Sequence, residues 1–253
     1  MRRLVALLLV SLCAVRAYGA WKLESSQSES NGGVEHRTLH LSGGSDKAVT
    51  LELAVFSAKI ATLRVIDNPN GDSDLATAMR QHSSIAGVNG GYFDPQFAPI
   101  GLRVIDGATT SPLVRARLLT GVLSASPDRG VEIVRIGEWS RNRRTDAAVE
   151  CGPFLVDLGA GVRGLDDTRP ARRTFAAVAR GGHAALGYCD EATLAQLGEI
   201  LSSVRLSEGF SVWRAMNLDG GSSSAFCFRR ADGTAFAIPE SKRVRDFLGV
   251  VAK

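Results

Sequence analysis

Residues 174–204 read TFAAVARGGHAALGYCDEATLAQLGEILSSV. Residues 174–179 and 184–188 are short apolar runs bounded by turn formers, the pattern of buried strands. Arg180, Gly181, Gly182 and His183 lie between them, and paired glycines suit a tight turn, so the two runs read as a hairpin. Then the period changes. Across residues 191–204, Leu194, Leu197, Ile200, Leu201 and Val204 fall on one helical face, with Asp190 as the expected N-cap.

The same reading extends outward. Residues 34–41 and 49–56 alternate like strands, and residues 60–66 are a further strand. Residues 74–82 look helical, with Asp72 or Ser73 placed to cap them. Glycine-punctuated apolar runs follow at 85–93, 100–105, 118–125, 131–136 and 147–156, with a hairpin turn at Asp128-Arg129-Gly130. Residues 211–218 form a strand that runs into Asp219-Gly220-Gly221, and residues 243–252 close the chain as another. Many strands with few helices, not in regular alternation, predict an α+β fold: a single domain with a mixed, mostly antiparallel sheet. Residues 20–33, rich in Ser, Asn and Gly, read as a loose leader before a domain at 34–253.

The first residues read as an export signal. Arg2 and Arg3 precede an apolar run at 4–15, and small residues allow cleavage after Ala17 or Gly19. That run is too short to cross ~30 Å of hydrocarbon as a helix. The expected location is therefore periplasmic or secreted, with no stable membrane insertion after signal removal. Removing Arg2, Arg3 and Arg16 takes the formal charge from +4 to +1. A nearly neutral chain argues against nucleic acid as a partner. Basic residues cluster at 135–144 and 169–173, and solvated loops account for both. Beyond Cys13 the cysteines are Cys151, Cys189 and Cys227, which allow at most one intramolecular bridge and form no zinc motif.

Four strand ends combine glycine or arginine with polar residues: Asn89-Gly90-Gly91-Tyr92-Phe93-Asp94, Glu150-Cys151-Gly152-Pro153, Arg172-Arg173-Thr174 and the segment from Asn217 to Ser224. Glycine lets backbone approach a ligand. Taken singly, Asn-Gly-Gly and Asp-Gly-Gly are ordinary turns; four such places in one domain point to a shared pocket.

NGGYFD at 89, GLRVIDG at 101, GPFLV at 152, RRT at 172 and NLDGGSSSAF at 217 occur in that order, and together they resemble the phosphodiester glycosidase family. The resemblance covers residues 34–253. It departs from the family pattern at Ser222, where a third glycine is usual, at Phe175 and Ala176, and near the end, where Lys242 or Arg243 fills the place of an arginine. It implies hydrolysis of the bond between a sugar's anomeric carbon and a phosphodiester, in a glycan or an exopolysaccharide-like polymer. The transition state is oxocarbenium-like.

A carboxylate suits the positive charge. Asp219, which matches the family's Asp-Gly-Gly, is the leading choice, as nucleophile, base or electrostatic stabiliser. Glu150 and Asp94 are candidates for a second carboxylate. Arg173, with Thr174 beside it, suits the phosphate, because a guanidinium donates two parallel hydrogen bonds to phosphate oxygens. Asn89 and Asn217 are placed for sugar hydroxyls or an acetamido group. Gly90 and Gly91 open the first motif to a ligand, and the amides of Gly220, Gly221 and Ser222 suit an anion-binding nest. Tyr92 or Phe93 can wall the sugar.

No cofactor and no metal is implied. His36, His40, His82 and His183 form no triad context, and Gly-x-Ser-x-Gly is absent, which argues against a serine hydrolase. His36 and His40 stand ~13 Å apart if their segment is a strand, too far for one ion, and read as polar positions on an exposed face. The alternative that stays open is a non-catalytic, extracytoplasmic glycan-binding protein, which needs the same Asn, Arg and aromatic groups but no essential carboxylate.

Overall fold

The structure is a computed structural model that describes residues 21–44, 47–140, 142 and 144–253. The expected export signal, residues 1–19 with Cys13, lies outside the described residues.

The chain opens with β1 (Lys22–Asn31), β2 (Val34–Gly43), β3 (Lys47–Ser57) and β4 (Ala61–Asp67), then α1 (Leu75–Gln81) and β5 (Ala86–Asn89). Next come β6 (Arg103–Ile105), β7 (Ala108–Ser111), β8 (Gly121–Ser126), β9 (Gly130–Arg135), β10 (Ala147–Cys151), β11 (Phe154–Asp157) and β12 (Ala160–Gly161). The last third holds β13 (Ala171–Ala179), β14 (His183–Ala192), α2 (Leu194–Ser203), β15 (Val212–Asn217), β16 (Phe226–Arg229), β17 (Ala235–Ile238) and β18 (Asp246–Ala252). The α+β class stands.

The strands divide into three sheets, and every described pairing between them is antiparallel. The largest runs β1-β2-β3-β14-β13-β15-β11-β12. The second runs β7-β6-β10-β8-β9 and the third β17-β16-β5-β18-β4. The hairpin of residues 174–188 is β13–β14, in register from Thr174 opposite Tyr188 to Ala179 opposite His183. One core lies where the three sheets meet, with Phe56 and Leu186 from the first, Leu123 and Val149 from the second, and Phe226 and Leu248 from the third. The opposite face of the large sheet is covered by α2 through Leu197, Ile200 and Leu201. Burial on both faces explains why β13 reads as a nearly continuous apolar run. α1 covers the outer face of the third sheet with Leu75, Ala78 and Met79.

Several expectations are corrected. The segment read as a loose leader is mostly β1, which pairs with β2 from Lys22 to Asn31. Its side chains are largely exposed, so it carries no apolar signal; backbone pairing with β2 and polar contacts of Glu29 and Asn31 place it. The cap of α1 is Asp74, whose carboxylate accepts the Thr77 amide at 2.7 Å. The cap of α2 is Thr193, because β14 continues to Ala192; Asp190 instead accepts the Thr50 and Glu191 amides. Residues 147–156 are two strands in two sheets, parted at Gly152, where any side chain would collide with the Leu118 carbonyl.

His36 is not on an exposed face. It is 4% exposed, with Nδ1 3.1 Å from Glu29 Oε1 and Nε2 2.8 Å from Glu52 Oε2, and it lies against the rings of Phe226, Phe228 and Phe236. The third sheet packs over that part of β2, which alternation within β2 alone does not reveal. Cys151, Cys189 and Cys227 are free and buried. Among the described residues, no helix is long and apolar enough to cross a membrane.

Candidate active site

The Asp219 loop sits where the large sheet meets the third sheet. β15 delivers Asn217, and Leu218 is fully buried, so the chain turns at Asp219 with its backbone fixed on both sides. The Asp219 amide donates to Gly90 O at 3.2 Å. Its carbonyl accepts from Asn89 Nδ2 at 2.7 Å, and Oδ1 accepts from the Gly220 amide at 3.0 Å. Burial raises its carboxyl above the usual range, against the Ser223 hydroxyl, the Lys242 charge and the Gly220 amide, which lower it. A 3-10 turn, Gly221–Ser223, follows, with Gly221 at φ +64°.

Asn89 and Thr174 lie beneath this loop, both fully buried. Asn89 Oδ1 accepts from Thr174 Oγ1 at 2.7 Å and from the Ala225 amide at 3.1 Å. The expectation that these two contact substrate is therefore corrected: they join β5, β13 and the chain around Asp219 from below. Gly90 is required for the same reason, since a Cβ there would fall on Asp246 Oδ1. Gly91 donates its amide to Asp246 Oδ1 at 2.8 Å.

Asn217 reaches the other side of the loop. Its Nδ2 donates to Tyr92 Oη at 3.1 Å and also to the Leu218 carbonyl, while its Oδ1 is buried without a hydrogen bond. Tyr92 donates its hydroxyl to Gly152 O at 2.7 Å, and burial pushes the phenol well above its ordinary value. The motifs at 89, 152 and 217 thus meet at this hydroxyl.

Arg173 enters from β13. Nε donates to Ala192 O at 2.9 Å and Nη2 to Arg169 O at 2.5 Å, which fixes the guanidinium plane. The side chain lies alongside the Asp219 loop, with Cδ and Nη1 both 3.9 Å from where a Cβ on Gly220 would sit. Burial holds this guanidinium below its ordinary value. The neighbouring Arg172 is structural, donating to the Ser224 and Pro239 carbonyls, both at 2.8 Å. Lys242 is exposed; its amide donates to Ser222 O at 3.2 Å, and Nζ stands 5.1 Å from the centre of the Phe93 ring. Of the two residues read for the closing cation, Lys242 is the one that acts on Asp219. Ser222 is exposed at the rim. In the expected nest, the Gly220 amide is occupied by Asp219 Oδ1.

The two candidate second carboxylates do not join Asp219. Glu150 is 1% exposed, and its Oε2 accepts the Leu102 and Val114 amides at 2.7 and 3.0 Å. That carboxylate braces the segment around Gly101, which explains the glycine of GLRVIDG: a Cβ there would lie 3.0 Å from Glu150 Oε2. Asp94 accepts the Ala98 amide at 2.8 Å and closes its own loop.

Sequence reasoning missed Asp246 and Arg103. Asp246 begins β18, is 2% exposed, and has Oδ2 3.3 Å from Arg103 Nη1. The available signal was a carboxylate opening the otherwise apolar DFLGVVA, together with an arginine inside GLRVIDG. Among the described residues, no group of three or more His, Cys, Asp or Glu side chains is placed to hold a metal ion.

An antiparallel α+β scaffold thus brings one half-buried aspartate, an anchored arginine and converging glycine loops to one place. The phosphodiester glycosidase family matches residues 82–251, and the chain belongs to that family. Among solved structures it is similar to the zebrafish N-acetylglucosamine-1-phosphodiester alpha-N-acetylglucosaminidase catalytic domain, auto-inhibited by its pro-peptide. The TM-score is 0.66 at 15% identity over 92% of this chain and 89% of that one. It is also similar to a protein from Synechocystis, with TM-score 0.64 and 15% identity over 90% of this chain and 64% of that one. A protein from Burkholderia pseudomallei K96243 follows, with TM-score 0.54 and 12% identity over 81% and 74%. A search of curated protein sequences gives no match.

Proposed function

We propose that the protein is an exported hydrolase that cleaves the bond between a sugar's anomeric carbon and a phosphodiester in a glycan or glycopolymer. The observation that carries this reading is that Arg173, from β13, stands beside Gly220, the residue after Asp219, and that Asp219 and Arg173 both act on the Tyr92 hydroxyl. The family and the name of the zebrafish neighbour support a sugar-1-phosphodiester as substrate. Export rests on the N-terminal sequence alone.

The Asp219 carboxylate stabilises the positive charge that grows at the anomeric carbon as the bond to phosphate lengthens. Arg173, held by two backbone carbonyls, presents its remaining nitrogen to the departing phosphate. A phosphate leaving group is weakly basic, so a guanidinium serves where an alcohol would need a proton donor. This fits a site in which Glu150 and Asp94 bond backbone amides instead of joining Asp219.

The test is release of free sugar from a UDP-sugar and sugar-phosphodiester panel by the purified mature protein, beside Asp219→Asn. Asp219→Asn is expected to lower turnover by about 10³-fold or more while binding holds within about threefold. Binding by both proteins with no release by either would replace the hydrolase with the glycan-binding reading. A second variant, Arg173→Ala, is expected to lower kcat/KM on phosphodiesters by about 10²-fold and to affect an activated simple glycoside far less. Equal losses on both substrates would remove the phosphate role.

A further inference from the structure

We propose that Asp246 is the positioning residue of this site: the buried carboxylate that, through Gly90 and Gly91, sets where the Asp219 backbone lies. The inference rests on the proposed role of Asp219. Its geometry stands by itself.

Asp246 holds the Asn89–Gly91 segment at three points. Its carbonyl accepts the Gly90 amide at 2.9 Å, its Oδ1 accepts the Gly91 amide at 2.8 Å, and its carboxylate fills the space a Gly90 side chain would take. The held segment then grips Asp219 twice, with Gly90 O on its amide and Asn89 Nδ2 on its carbonyl.

The carboxylate is itself anchored. Arg103, 4% exposed, sets one nitrogen, Nη1, between Asp246 Oδ2 at 3.3 Å and Asp67 Oδ1 at 2.9 Å, and Arg245 also pairs with Asp67. The chain of contacts thus runs from the start of β18 through two glycines to the loop that carries the chemistry. Burying this ion pair is a doubtful source of stability, since desolvating two charges offsets much of their attraction. Its placement directly behind Gly90 and Gly91 gives it a use that stability does not.

The experiment compares wild type, Asp246→Asn and Arg103→Lys. Asparagine keeps an acceptor for Gly91 but turns an amide donor toward Arg103; lysine keeps the charge and loses the planar guanidinium whose Nε donates to Thr110 Oγ1 at 2.9 Å. The first readout needs no substrate: amide hydrogen exchange at Asp219, against Ala177 in the middle of β13. Asp246→Asn is expected to lower protection of the Asp219 amide by about tenfold or more with Ala177 unchanged. The second readout is hydrolysis, where kcat is expected to fall about 10²-fold with KM within about threefold, as for a displaced reacting group.

Unchanged protection at Asp219, or an equal loss at Ala177, would overturn the proposal, as would an unchanged kcat. If Asp246→Asn does not fold, Arg103→Lys carries both readouts, with the same direction and a smaller loss expected. If wild type hydrolyses no phosphodiester, the proposed function falls, and the exchange comparison alone still decides the positioning role.

Discussion

Burial lifts the Asp219 carboxyl above its ordinary value, while Ser223, Lys242 and the Gly220 amide hold it down. In the proposed reaction the ionised form is the one that faces an oxocarbenium-like centre. Activity is therefore expected to fall on acidification from a higher pH than an exposed aspartate would give, in a kcat/KM profile from about pH 4 to about pH 8. Lys242→Ala should move that acid limb further up, and an unmoved limb would disconnect Lys242 from the site. Asp246 adds an opposite effect on the fold. Burial raises it from 3.8 to about 6, against the Gly91 amide, Arg103 and Arg245. Its proton is bound more tightly when folded, so its stabilising contribution is full below 3.8 and is lost as pH rises through about 6. Melting curves should show wild type gaining on Asp246→Asn as pH falls from about 7 to about 4. Asp219 and Arg173 stood out in the sequence through their match to the Asp-Gly-Gly and Arg-Thr motifs, and the fold brings Arg173 alongside Gly220. Asn89 and Thr174 were legible only as important. That they lie in the inner layer depends on which strands become neighbours, and β5 lies far from β13 along the chain.

The helix α2 shows how local signals settle ends. Its apolar face was readable from spacing and Asp190 was the expected cap, but β14 runs on to Ala192, which leaves the cap to Thr193. Thr193 and Gln196 cap reciprocally, Thr193 Oγ1 accepting the Gln196 amide at 3.1 Å and Gln196 Oε1 accepting the Thr193 amide at 3.1 Å. Thr193→Ala is expected to cost about 1 kcal/mol, a fall of about 2–4 °C in Tm, while Asp190→Ala should leave the helix intact. The reverse order would give the cap back to Asp190. The strand β1 shows the limit of pattern reading. It has almost no buried side chain, yet it covers the edge of β2 and supplies Glu29 to both His36 and Arg230. A chain begun at Val34 should melt lower and form larger particles in light scattering, because β2 then presents an open edge. Equal melting and particle size would make β1 dispensable. The strands β7, β12, β16 and β17 escaped notice for a related reason: each has four residues or fewer, so little periodicity is available.

Over the whole molecule, the α+β class followed from many strands with few helices, not in regular alternation. The division into three sheets did not, because it turns on contacts such as those at Gly152, which ends one sheet's strand and starts another's. Packing among the sheets also hides Cys151, Cys189 and Cys227, none joined to another. Burial pushes all three thiols up, Cys227 to about 11, so little thiolate is present near neutrality. These sulfurs make the domain its own stopwatch. In the native state they should ignore iodoacetamide, and each global opening should let the reagent label all three at once. Where labelling outpaces reclosing, its rate counts unfolding events with no dye attached, and a reductant without a thiol should leave that count unchanged.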